Sequence, residues 1–228
     1  SIPEALRIAG STDHLQTFDF TFDVTNQYTF WSGTIAALFL FLSYFGTDQS
    51  QVQRYLTTSS VDEARGSLLM SAYWKIPLQA LVLLVGVFMF VFYVFQPSPM
   101  LFNPVHERQL REGARAGEYA SVEGRFQAAD QARQAAAVAF ASAQRAEDPA
   151  VLAAAGERFT QAQADVRNVR SEAVGLVRDI TGDATYTDVN YVFPTFILTH
   201  MPVGLVGLLI AAIFAAAMST IAGALSAP

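Results

Sequence analysis

The chain has 228 residues, 52% of them hydrophobic and 15% charged, with a mean hydropathy of +0.30 and a formal net charge of −6. So apolar a composition points to a protein that lies partly in a bilayer, and 14 Lys+Arg against 20 Asp+Glu leave no basic face for a nucleic acid. The absence of cysteine excludes disulfides and thiol chemistry, and His14, His106 and His200 fall in no metal-ligand spacing, so neither a metal centre nor an enzyme is expected.

The opening SIPEALRIAG has no basic stretch followed by an apolar one and is not a signal peptide; the chain is expected to begin inside a longer protein. A bilayer core takes about 20 apolar residues in a helix, and three stretches approach that length. The first, YTFWSGTIAALFLFLSYF from Tyr28 to Phe45, carries no charge and is rimmed by Tyr28, Trp31 and Tyr44, residue types favoured at membrane interfaces. In the connection that follows, Ser60 and Glu63 fit a capping box, which predicts a helix starting near Val61 and continuing into the second span. That span, IPLQALVLLVGVFMFVFYVF from Ile76 to Phe95, is interrupted only by Pro77 and Gln79. Arg54, Arg65 and Lys75 lie near the membrane ends of the connection, against Arg7 alone before the first span, so the connection is expected to be cytoplasmic.

From Val105 to about Ile180 the sequence changes to Ala, Gln, Arg and Glu. Leu152, Ala155, Phe159, Ala162, Val166, Val169, Ala173, Leu176 and Ile180 follow a 3,4 alternation that predicts a coiled-coil seam. Tyr119, Val122, Phe126, Ala129, Arg133, Ala136, Phe140 and Ala143 form a poorer version, and Asp148-Pro149 separates the halves as a turn and helix cap. An antiparallel hairpin on the outer surface is expected, burying its stripe between its own two helices; its ten arginines fall in a loop too long for the charge rule. Glu118 and Glu123 belong to a solvated face. The third span, PVGLVGLLIAAIFAAAM from Pro202 to Met218, runs into Ser219 and Thr220, whose hydroxyls are either packing groups or chemistry.

GTDQSQVQRYL, then YWKIPL around Lys75, then VFPTFILTHMPVGLVGLLIAAIFAAAMSTIAGAL resemble the sodium:solute symporter family, which includes the sodium/glucose cotransporters; the hairpin has no counterpart there. The resemblance covers roughly residues 28–95 and 189–226. It implies an all-α membrane protein, three transmembrane helices of a LeuT-type inverted-repeat bundle with an extramembrane helical hairpin. The segments are then 1–29 outside, 30–47 spanning, 48–67 cytoplasmic, 68–96 spanning, 97–188 outside with the hairpin at about 105–180, and 189–228 re-entering and spanning. These would be the sixth, seventh and eighth core helices of a longer multi-pass transporter in a cell membrane, such as a bacterial inner membrane, completed by its remaining helices.

By the same resemblance, Ala216, Ser219 and Thr220 are half of a site for a co-transported sodium ion. Sodium takes hard oxygen ligands, and a carbonyl and two hydroxyls bordering one groove between helices supply them. Tyr44 and Phe45, with Lys75, match positions that border the small-molecule solute in sugar-transporting relatives, where an aromatic face and a hydroxyl suit a sugar-like or other polar metabolite. An interfacial belt and a snorkelling lysine account for the same residues. Phe41 replaces a hydrogen-bonding asparagine of a sugar transporter, which weighs against a sugar. The alternative to sodium-coupled symport is a membrane sensor or interaction protein with an external helical signalling hairpin.

Overall fold

A computed structural model describes residues 2–12, 19–23, 29–146 and 148–226. His14 and Tyr28 lie outside the described residues, as does the side chain of Arg54. Helices α1 (Ile2–Gly10), α2 (Phe30–Gly46), α3 (Gln49–Leu56), α4 (Val61–Phe95), α5 (Pro104–Glu112), α6 (Ala116–Ala146), α7 (Pro149–Thr181), α8 (Val189–His200) and α9 (Val203–Leu225) carry the fold, with no strand among the described residues. The chain divides into two units, Ser1–Leu15 with Val85–Pro202 and Gln16–Leu84 with Val203–Pro228.

The first unit is built on the α6–α7 hairpin. Asp148 caps α7 by accepting from the amides of Ala150 and Val151 at 2.9 and 3.3 Å, and Pro149 occupies the first turn, where its missing N–H costs nothing. The pairing is antiparallel: Arg115 meets Asp179 and Arg125 meets Glu172 at one end, while Phe140 stacks on Phe159 at 5.9 Å towards the other. Tyr119, Val122, Phe126, Phe140, Phe159, Val166, Ala173 and Leu176 are buried as the seam predicts. Ile180 is exposed instead, and Val177 takes the buried place one turn earlier. Past it α7 ends at Gly182, whose φ of 70° is the left-handed cap that glycine adopts without strain.

Two departures from the expected hairpin matter. Its first residues form a separate helix, α5, because Asn103 accepts from the amide of Val105 at 3.0 Å with Pro104 beside it, a complete start signal. The seam is also not closed on itself. Ala137, Phe140 and Phe159 share a buried cluster with Ile8 of α1 and Val94 of α4, with Phe90 and Phe95 packed against it. The hairpin and the end of the second apolar helix are therefore one packed body.

In the second unit, Thr29 and Ser32 form a reciprocal capping box at the start of α2, although Thr29 to Ser32 is not the Glu/Gln pattern that usually marks one. At α4 the expected box is half made: the Glu63 amide donates to Ser60 Oγ at 3.2 Å, but the Glu63 carboxylate accepts from Ser59, one residue upstream. Pro77 sits inside α4 and withholds the amide that would reach the carbonyl of Tyr73. Helices α4 and α9 are long and apolar enough to cross a membrane, and their most apolar windows are 11% and 0% buried. Apolar surface of that extent facing outward needs lipid or further helices to cover it. With 17 residues, α2 rises about 25 Å, somewhat short of the roughly 30 Å hydrocarbon core.

Candidate functional site

The expected sodium ligands lie near the C-terminal end of α9. This helix continues past Met218 through Ser219 and Thr220 to Leu225, with no proline among Ile221 to Leu225 and Gly223 accommodated inside it, so the hydroxyl pair interrupts an apolar run without ending a helix. Thr220 Oγ1 donates to the carbonyl of Ala216 at 3.0 Å, the back-bond that a threonine makes to its preceding turn. That bond places both oxygens on one face of α9, with exposed Ser219 beside them. A cation approaching this face would meet the carbonyl and the hydroxyl together once the threonine proton turned away. No group of three or more His, Asp or Glu side chains able to hold a metal occurs among the described residues.

The expected solute residues come together. Tyr44 and Phe45 meet edge to face with centroids 5.0 Å apart, and Phe41 lies one turn back at 5.9 Å from Phe45. Lys75 Nζ stands 5.3 Å from the centroid of the Phe45 ring, within cation–π range. The last turn of α2 and the proline-interrupted part of α4 thus bring one cation, two rings and a phenol into contact, although 31 and 30 residues of chain separate Tyr44 and Phe45 from Lys75. At the other end of α2, Trp31 Nε1 donates to the carbonyl of Phe20 at 3.2 Å.

A third polar group has no counterpart in the sequence reading. Arg133, placed above among the seam positions of the hairpin's first half, is buried on α6; its guanidinium donates to Asp130 and to the backbone carbonyl of Tyr93 on α4. Asp188 ahead of α8 is also buried and accepts from the amide of Phe102 at 2.9 Å and from Arg170 at 3.1 Å, while the Arg170 guanidinium lies 4.5 Å from the centre of the Phe102 ring. The only local signal was charge on a seam: Asp130 and Arg133 are three residues apart, a spacing that reads equally well as an exposed pair. Glu123 is engaged with Arg111, which also holds Glu107, and Glu118 lies 4.0 Å from Arg115.

No protein-family model and no solved structure matches the chain. The human sodium/iodide cotransporter is 30% identical to it over 102 residues, 45% of this chain. The match spans 16% of that relative's length. Similarity to a transporter and two outward-facing apolar helices together describe an all-helical membrane protein.

Proposed function

We propose that the chain is an internal part of a sodium-coupled symporter that carries a small polar solute across the cell membrane by alternating access. The observation that carries this reading is the identity with the human sodium/iodide cotransporter, supported by helices of spanning length and apolarity. In this reading α2, α4 and α9 span, the connection through α3 is cytoplasmic, and the α5–α7 region stands outside. Ala216, Ser219 and Thr220 contribute half of the sodium site, and helices beyond this chain contribute the rest. Tyr44, Phe45 and Lys75 border the solute. The Lys75 charge beside the Phe45 ring, and the iodide in the relative's name, favour an anionic solute over a sugar.

Reconstituting the full-length protein in liposomes and following counterflow of candidate solutes tests the proposal. Uptake that rises with an inward sodium gradient and collapses when potassium replaces sodium is expected. Binding of solute without any flux would favour the sensor reading instead, for which the packing of the hairpin onto α4 supplies a mechanical connection.

A further inference from the structure

Within the unit that contains the hairpin, a cavity of about 570 Å³ opens between the end of α4, the segment after it, α6, α7 and the start of α8. Its lining includes the aromatic residues Tyr93, Phe102 and Phe193. It also includes Arg133, Arg167 and Arg170, with Asp188 as the only acid among the described lining residues. Asp188 is already committed to Arg170 and the Phe102 amide, and Asp130 lies against Arg133. Three guanidinium groups face two carboxylates, so one positive charge is left over.

The donors are also in surplus. Arg133 is 4% exposed, yet its Nε is buried with no hydrogen-bond partner, as is Oε1 of Gln163 in the same lining. Buried polar atoms of this kind are costly unless something fills them, and an amide such as Gln163 can present either its oxygen or its nitrogen. Arg167 is exposed to the cavity mouth and has no ion-pair partner among the described residues. Burial holds the Arg133 guanidinium below its ordinary value, and the charge of Arg170 pushes it the same way. An anion between the two would relieve both effects.

We propose that this cavity binds a small organic carboxylate, its charged group held by Arg133, Arg167 and Arg170 and its apolar body laid against Tyr93, Phe102 and Phe193. A planar carboxylate matches the arginine fork, a single negative charge matches the surplus, and the aromatic lining selects against inorganic anions. The site is on the hairpin side of the chain and does not depend on sodium coupling.

Binding of radiolabelled benzoate to the full-length protein in sodium-free phosphatidylcholine nanodiscs tests the assignment. Saturable binding is expected, without competition from benzamide, which has the same shape and no charge. Arg170→Gln and Arg167→Gln should each weaken binding by about tenfold or more. The second leaves every observed ion pair intact and so should not alter the melting temperature. Arg108→Gln, at an exposed arginine outside the cavity lining, should change binding by less than about twofold. Absence of benzoate binding in the wild type, or loss of binding in Lys75→Gln with Arg167→Gln and Arg170→Gln unaffected, would overturn the proposal while leaving sodium-driven counterflow to be judged by itself. Displacement of benzoate by added phosphatidylglycerol would also overturn it, by making the cavity a lipid-headgroup site.

Discussion

Thr220 makes the back-bond of a packing residue and is also a proposed sodium ligand. Its hydroxyl donates to the Ala216 carbonyl, 3.0 Å away, and turning that proton away would let both oxygens face a cation. Ser219→Ala and Thr220→Ala in the full-length protein should therefore raise the sodium concentration for half-maximal uptake several-fold, about 1 kcal/mol or more of lost ligation. The amount of protein in the membrane should stay the same, since a hydroxyl contact between membrane helices contributes only about 0.6 kcal/mol. Unchanged sodium dependence in both variants would remove the site. For Tyr44 and Lys75 the discriminating measurement is chemical. With a cysteine at either position, saturating solute should slow modification by a thiol reagent while sodium is kept saturating, and a rate indifferent to solute would return the residue to the interfacial belt. Arg133 belongs to a different class, being a buried charge whose partners are Asp130 and a backbone carbonyl. Arg133→Met should cost about 3–5 kcal/mol by leaving Asp130 buried and unpaired. Asp130→Leu added to it should recover much of that loss in thermal unfolding, and a double variant no more stable than the single would argue against the pair.

At the level of elements, the hairpin and α4 hold each other. Read from its heptads alone, the hairpin could be removed and the bundle left intact, because a seam buried between two helices owes nothing to a third. The structure reverses that expectation. Val94 is fully buried in a cluster with Ala137, Phe140 and Phe159, and the Tyr93 carbonyl has Arg133 as its donor. Replacing residues 107–181 with a short flexible linker would expose Val94 and its neighbours, at about 1.5–3 kcal/mol for each large apolar side chain returned to water. The shortened protein should reach the membrane in reduced amount and transport less per molecule; wild-type uptake from it would show that the packing is dispensable. The turn at Asp148-Pro149 and the seam of α7 were legible because caps and heptads are local patterns. The extra contact with α4 was not, since Phe90, Phe95 and Val94 read as lipid-facing residues of a continuous apolar run.

For the whole molecule, the arrangement across the membrane is the open consequence. The chain has no cysteine, so single cysteines can be introduced without masking by this stretch. In intact cells, Ala150→Cys at the hairpin tip should react with an impermeant thiol reagent, and Ser59→Cys before α4 should react only after permeabilisation; the opposite pattern would invert the orientation taken from Arg54, Arg65 and Lys75. The sequence by itself determined the elements: apolar runs of spanning length, the Val61 start of α4 and the hairpin with its turn all follow from hydropathy, period and capping, which act over a few residues. It pointed to the proposed sodium and solute positions only through a family resemblance. Tertiary structure alone decided that Lys75 stands by the Phe45 ring, that the hairpin and the end of α4 share one core, and that Arg133, Arg170 and Asp188 gather around a cavity. These depend on which surfaces meet across long separations in the chain. Charge at a seam position looks alike in sequence whether it faces water or a buried carbonyl.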